Sequence, residues 1–471
     1  MKSPTTTTTP VHAPYDRSVI GEAPVADAAA VEEALRTAHA LFRDRDRWLP
    51  AVRRIEILER AQAILRERAE SLAVEAAREG GKPLIDSRVE VARAADSLKI
   101  CVETLRTQAG EVVPMGVNAA SANRLAFTQT EPIGVCVAVS AFNHPLNLIA
   151  HQVGPAIAAG CPVIVKPAPT TPLSCFRFVD ILREAGLPRE WCIPILPLDL
   201  DLASRLVCDP RVAFFSFIGS AKVGWMLKSK LAPGTRCALE HGGVAPVIVA
   251  ADADLAHALP LVAKGGFYHA GQVCVSVQRV YADRSVAARF AEELAAAAKK
   301  LVVGDPTRAE TEVGPLISPA EVERVHAWVE RAVAGGARLL SGGKPISGTC
   351  YAPTVLLDPP HDAEVSTQEV FGPVVCVYSS GSLDDAIARA NSLPVAFQAA
   401  VFTRALDTAL RCYQRLDASA VMVNDHTAFR VDWMPFAGLR ISGHGVGGIP
   451  HTIHDLQTRK MLVVRSPEIT R

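Results

Sequence analysis

At 471 residues, 49% of them hydrophobic and 21% charged, the chain is long enough for roughly three globular domains and can bury a large core. Its 49 Lys and Arg balance 49 Asp and Glu, which argues against a nucleic-acid partner, since that would favour a basic surface. The 11 cysteines include no CxxC pair, so neither a disulfide framework nor a zinc knuckle is indicated, and scattered thiols fit a reducing cytoplasm.

The start, MKSPTTTTTP, has no apolar run behind its basic residue and is expected to be a disordered lead-in over residues 1–20 rather than a secretory signal. No apolar stretch is long enough to span a bilayer. From Ala28 to about Gln108 the apolar spacing is helical: Leu35, Ala38 and Phe42 share one face, as do Ile55, Leu58 and Ala61. Gly80, Gly81 and Pro83 interrupt this region, and 114–130 reads as an extended hairpin or excursion.

The period then changes. Strands are expected at Val135–Val139, 162–165, 212–217 and 247–249. Helices are expected at 145–159, 172–185 and 221–231. A second alternating region starts near Pro246, with strands at 277–281, 374–378, 399–402 and Ala420–Val423 and helices at 285–300, 320–334 and 383–391. A last strand is expected near 461–464. Alternation of this kind indicates βαβ units and two parallel-sheet α/β domains.

Gly443, Gly445 and Gly448 spell G-x-G-x-x-G, but they open no βαβ unit, so the motif reads as a glycine-rich connection. More informative segments lie elsewhere. Ala141-Phe142-Asn143-His144-Pro145 sits at a strand-to-helix turn, and Val165-Lys166-Pro167 ends a strand. Phe217-Ile218-Gly219-Ser220 ends another and opens a helix. Leu239-Glu240-His241-Gly242-Gly243, Gly271-Gln272-Val273-Cys274 and Glu369-Val370-Phe371-Gly372-Pro373 follow in that order.

This ordered set resembles the aldehyde dehydrogenase superfamily over about residues 24–464, and the closing stretch Val423-Asn424-Asp425-His426 to Ser442-Gly443 matches as well. Within the superfamily the chain is similar to the branch that acts on small polar aldehydes such as lactaldehyde or phosphonoacetaldehyde. The resemblance implies an α/β fold in three parts. A Rossmann-like cofactor domain would take 21–113 and 129–240, an α/β catalytic domain 241–440, and a small β oligomerisation arm 114–128 with 455–471. An exposed β arm needs a partner, so a homodimer or homotetramer is expected.

The implied activity is oxidation of an aldehyde to a carboxylic acid with NAD or NADP. Cys274 would be the nucleophile, because a thiolate both adds to an aldehyde carbon and leaves again. The Asn143 amide and the Cys274 backbone N–H would hold the oxyanion; the alternative for Asn143 is a helix cap. Glu240 would activate the water that cleaves the thioester; the alternative is a solvated strand-end charge. Lys166 would hold adenine-ribose hydroxyls, Gly219 and Ser220 the pyrophosphate, Glu369 the nicotinamide ribose, and Phe371 would pack beside the nicotinamide.

His144, His151, Val273, Val275 and Phe429 would line the aldehyde tunnel, with Arg106 and Arg430 as possible anion partners. Two positions depart from the family pattern. His241 stands where an apolar residue is common, and could tune the base or simply pack. Pro169 stands where NAD-preferring members often carry a glutamate that binds the ribose hydroxyls and repels a 2′-phosphate, which leaves NAD versus NADP open. Val273, where some anion-specific relatives carry arginine, counts against a strongly anionic substrate. Two rival readings are a CoA-acylating enzyme, which would not need Glu240, and a non-catalytic protein that keeps the fold.

Overall fold

The computed structural model describes residues 7–469. Two parallel sheets form its framework. The first carries, in spatial order, Gly443–His444, Arg236–Glu240, Val212–Ile218, Val135–Val139, Val163–Lys166 and Cys192–Pro194. Its pairs are parallel except at the 443–444 edge. The central strands read as unbroken apolar runs because helices cover both faces. Asn147–Ala159, Pro172–Glu184 and the long helices Ala51–Glu67 and Leu84–Thr107 pack on one side, and Ala28–Arg43 with Leu200–Cys208 on the other.

The second sheet runs Arg338–Ser341, Thr354–Leu357, Val374–Ser380, Val277–Asp283, Ala245–Val249, Gln398–Phe402, Ala420–Val423. It is parallel beyond its first, antiparallel pair. Its core joins Val280, Val375 and Val401 to Phe290 and Phe267 of the flanking helices.

The arm is a three-stranded antiparallel sheet. Arg124–Pro132 pairs along its whole length with Gln457–Arg465, and Val112–Val113 pairs with its other edge. The stretch near 114–130 thus belongs to a hairpin: residues 114–123 connect Val112–Val113 to Arg124–Pro132, the central strand of the arm.

One expectation needs correction. Residues 7–20 are not a disordered lead-in: Thr8–His12 pairs antiparallel with Val19–Pro24, and Val11 and Ala23 bury against Leu196. The threonine-rich composition hid a hairpin that buries a single apolar residue on each strand, too few to show a period. Residues 1–6 lie outside the described residues. Residues 441–454, which lie between the expected catalytic domain and the arm, join the first sheet and its core. The chain returns to the first sheet at Gly443–His444, and the helix Ile449–Asp455 buries Ile449 and Ile453 in the cofactor-domain core.

Candidate active site

A cavity of about 440 Å³ lies between the two sheets, and the ends of several strands deliver side chains into it. Cys274 arrives on a strained turn. After Phe267 the chain passes through His269 (φ 50°), Ala270 (φ 53°) and Gly271 (φ 70°). A side chain at Gly271 would start 2.1 Å from the Gly372 carbonyl oxygen, so only glycine fits. The Gln272 side chain pins this turn, donating to the Pro315 carbonyl (3.1 Å) and accepting from the Ile317 N–H (3.0 Å).

Burial pushes the Cys274 thiol up to about 12, with Glu369 and Glu240 acting in the same direction and Arg430 against it. Asn143 is buried on the turn after Val135–Val139, and its amide donates to the Gln272 carbonyl at 2.9 Å. It therefore bridges to the loop that carries Cys274 and does not cap the helix Asn147–Ala159, which Glu90 caps instead.

Glu240 ends its strand on the cavity wall, and burial raises its pKa while Arg430 opposes the shift. The returning segment runs over it: a side chain at Gly447 would start 2.3 Å from Glu240 Oε1, and one at Gly443 2.6 Å from the Leu239 carbonyl oxygen. The G-x-G-x-x-G stretch is thus a strap that only glycines let pass against the strand of Glu240, and not a phosphate loop.

The residues expected to hold the nicotinamide cofactor gather in the same cavity. Lys166, Gly219, Ser220, Glu369 and Phe371 all line it. Ser220 precedes the helix Ala221–Lys228, whose first-turn N–H groups present the positive end of the helix dipole. A side chain at Gly219 would start 2.8 Å from the Phe217 ring, and one at Gly242 1.8 Å from Glu369 Oε1, so neither position could carry one without crowding the pocket. Glu369 has a buried Oε1 with no hydrogen-bond partner, and burial pushes its pKa up to about 8. An orphaned carboxylate, a helix N-terminus and a buried lysine along one channel to Cys274 fit a dinucleotide: hydroxyls for the carboxylate, phosphates for the helix. Phe371, held at φ 46°, meets Phe142 edge-on at 5.7 Å.

His241 hydrogen-bonds through Nδ1 to the Gly219 carbonyl at 2.9 Å, so its ring faces the cofactor side rather than Cys274. It fills the notch left by Gly224, where a side chain would start 2.0 Å from its Cε1.

The substrate end matches the sequence expectation only in part. His144, Val273 and Val275 line the cavity, and His144 Nε2 lies 2.8 Å from the Tyr268 hydroxyl. His151 does not reach it. Buried behind Arg430, it accepts from the guanidinium at Nδ1 (3.2 Å) and bonds Asp432 through Nε2 (2.8 Å). Phe429 is 43% exposed and outside the cavity lining. Arg106 pairs with Glu59 at the surface, far more exposed than a substrate anchor would be. Arg430 is the arginine that counts. It lines the cavity, stacks 3.6 Å over Phe436 and leaves a buried Nε unpartnered.

Comparison with known proteins decides the assignment. The aldehyde dehydrogenase family model matches residues 1–462. The chain belongs to the aldehyde dehydrogenase family. It is 38% identical to a 3-sulfolactaldehyde dehydrogenase of Priestia aryabhattai over 87% of this chain and 86% of that protein. It is 35% identical to a lactaldehyde dehydrogenase of Methanocaldococcus jannaschii over 96% of each. A glyceraldehyde-3-phosphate dehydrogenase from Methanocaldococcus jannaschii, solved with NADP, superposes with a TM-score of 0.92 at 34% identity, covering 97% of this chain and 99% of that one. The chain is an NAD(P)-dependent enzyme that oxidises aldehydes.

Residues of this aldehyde dehydrogenase that the sequence reading missed are Arg93, Tyr268 and Phe436, all in the cavity lining, and Asp432 behind it. Arg93 lies mid-helix with no motif around it. Asp432, two residues after Arg430, was the one recoverable signal, because a carboxylate that close is an obvious partner for a buried cationic site.

Proposed function

We propose that this enzyme oxidises small aldehydes carrying a polar, negatively charged tail, with Cys274 as nucleophile, Asn143 at the oxyanion and Glu240 as base. The observation that carries the tail is Arg430. Asp432 is already engaged by Arg93 (Nε–Oδ2 3.2 Å) and His151, and no salt bridge to Arg430 occurs among the described residues. A buried guanidinium with an unpartnered Nε is costly unless an anion meets it. Burial disfavours its charged form and outweighs the opposing charges of Glu240 and Asp432, so a ligand anion is a natural further compensation. Val273 offers no second cation beside the nucleophile. The neighbouring activities of the relatives, on sulfolactaldehyde and glyceraldehyde 3-phosphate, also involve anionic aldehydes.

In this reading the Cys274 thiolate adds to the aldehyde carbon, and the resulting oxyanion meets the Asn143 amide and the Cys274 backbone N–H. The bound nicotinamide cofactor supplies the hydride acceptor, held by Lys166, Gly219, Ser220 and Glu369. Glu240 then takes a proton from water as the water attacks the thioester carbonyl, the acid departs, and the Cys274 sulfur is freed. A screen of short aldehydes bearing sulfonate, phosphonate, carboxylate or no charge, with each cofactor and with and without CoA, tests this. The highest kcat/KM should fall on an anionic member, with no dependence on CoA. A neutral aldehyde preferred by tenfold or more would overturn the substrate class.

The reading extends to assembly and location. The outer edge of Gln457–Arg465 is unpaired and exposes Met461, Leu462, Val463 and Val464, which supports a homodimer or homotetramer built on the arm. The described cysteines are all free, and no helix of the described residues is long and apolar enough to cross a membrane, which supports a cytoplasmic location.

A further inference from the structure

The helix Leu84–Thr107 supplies no atom to the proposed chemistry, yet one of its faces is fastened to three segments that border the site. Asp86, Glu90 and Arg93 stand at i, i+4 and i+7, one above another. Asp86 Oδ1 accepts from Lys264 Nζ at 2.6 Å, on the helix Leu255–Phe267 that leads into the Cys274 turn. Arg93 holds Asp432, and through it His151 and Arg430. Glu90, between them, has the most direct reach.

The Glu90 carboxylate is divided between two tasks. Oε2 pairs with Lys82, both side chains being 1% exposed. Oε1 accepts from the backbone N–H groups of Leu146 (2.9 Å) and Asn147 (3.0 Å). These are orphan donors at the start of the helix Asn147–Ala159, whose N-cap residue, Leu146, makes no side-chain cap bond. A carboxylate brought from another helix replaces the missing cap and sits at the positive end of the dipole. Lys82 is packed on the same spot: it follows Gly81 (φ 75°) and Gly80, where a side chain would start 3.4 Å from the Pro145 ring.

Asn143 lies three residues before Leu146. Its amide has one direct anchor, the Gln272 carbonyl at 2.9 Å. On its backbone side the turn is held by the His269 ring at Asn143 itself, by the His144–Tyr268 bond one residue on, and by the helix start that Glu90 holds. We propose that Glu90, with Lys82 as its counter-ion, is a positioning residue for aldehyde oxidation, fixing the start of the helix Asn147–Ala159 and thereby placing the Asn143 amide at the oxyanion. This rests on the reading of Asn143 as the oxyanion donor.

The test is a mutant cycle on the single-turnover burst of NAD(P)H in the full enzyme. Lys82 and Glu90 are replaced together, so that neither charge is left buried alone. Lys82→Met with Glu90→Gln keeps an acceptor for both N–H groups, and its burst should stay within about threefold of wild type. Lys82→Met with Glu90→Leu removes the acceptor, and its burst should fall by about tenfold or more. In an Asn143→Ala background, the gap between the Gln and Leu forms should shrink below about twofold, as expected when one residue acts through another.

An equal gap in both backgrounds would show that Glu90 serves the fold at large and would overturn the proposal. A normal burst in Asn143→Ala alone would instead overturn the oxyanion reading, and this inference with it. Should the Leu form not fold, Glu90→Asp keeps the charge but withdraws it by one methylene. Its burst should drop in the wild-type background and not in Asn143→Ala, and the same drop in both would again overturn the proposal.

Discussion

Cys274 is the one thiol in the cavity lining; burial, Glu369 and Glu240 push its pKa up, and Arg430 is the cation that favours the thiolate. Cys274→Ala should therefore abolish aldehyde oxidation while NAD(P)H binding, read by fluorescence titration, persists; turnover comparable to wild type would remove it as nucleophile. Glu240→Gln cannot accept water's proton. It should give one burst of NAD(P)H and then stall, with the acyl group on Cys274 visible by intact mass. Because burial raises Glu240, its base form is lost as pH falls through a value above the ordinary glutamate range, so thioester hydrolysis should weaken earlier on acidification than an exposed glutamate would allow. Arg430 lowers both groups, and Arg430→Met should move the acidic limb of the kcat profile to higher pH. An unmoved limb would mean that Arg430 does not set the charge of the base. These residues were legible because each stands in a local motif. His151 and Phe429 were misplaced because register along the chain gives a position but not the direction of a side chain, and Arg430 and Asp432 took up the space between His151 and the cavity.

At the scale of elements, the strand and helix alternation was readable because buried parallel strands are apolar throughout and their helices are amphipathic. Short edge pieces such as Cys192–Pro194 and Gly443–His444 were not, since a two- or three-residue strand carries no period. The first-strand hairpin was hidden by threonines, and the strap over Glu240 by glycines whose reason is visible only in three dimensions. Pro169 shows what an element end can decide. It lies on the cavity wall just after the strand Val163–Lys166, with Lys166 buried beside the channel. A carboxylate there would bind ribose hydroxyls and repel a 2′-phosphate, and proline does neither. Wild type should use NADP within about tenfold of NAD, a gap of about 1.4 kcal/mol. Pro169→Glu should shift kcat/KM toward NAD, chiefly by weakening NADP. Rejection of NADP by several orders of magnitude in the unaltered enzyme would place the choice elsewhere.

At the scale of the whole molecule, the arm presents an apolar strand edge to solvent. The strand Gln457–Arg465 pairs on one side with Arg124–Pro132 and has its other edge free, with Met461 52%, Leu462 51%, Val463 44% and Val464 40% exposed. Phe127 and Leu125 of the paired strand are exposed as well. A long apolar edge of this kind templates pairing with another chain, and a protein that stayed single would be expected to blunt it with charge or proline. Arg459, Lys460 and Arg465 blunt only the ends of the strand, and the four residues between Lys460 and Arg465 are uncharged. A closed two-fold assembly would bury this edge against the same or another sheet of the partner. Leu462 and Val464 point to one face, since side chains two apart on a strand share a side. If the arm builds the proposed homodimer or homotetramer, wild type should sediment as that assembly, and Leu462→Asp with Val464→Asp should sediment as a smaller species. Thermal unfolding of the wild type, but not of the variant, should also depend on protein concentration. Lys166, Gly219, Ser220 and Glu369 all come from this chain's own strands and turns, so the dissociated variant should still bind NAD(P)H. A wild-type enzyme that sediments as a monomer, or a doubly acidic variant that keeps the native assembly, would show that the arm is not the contact.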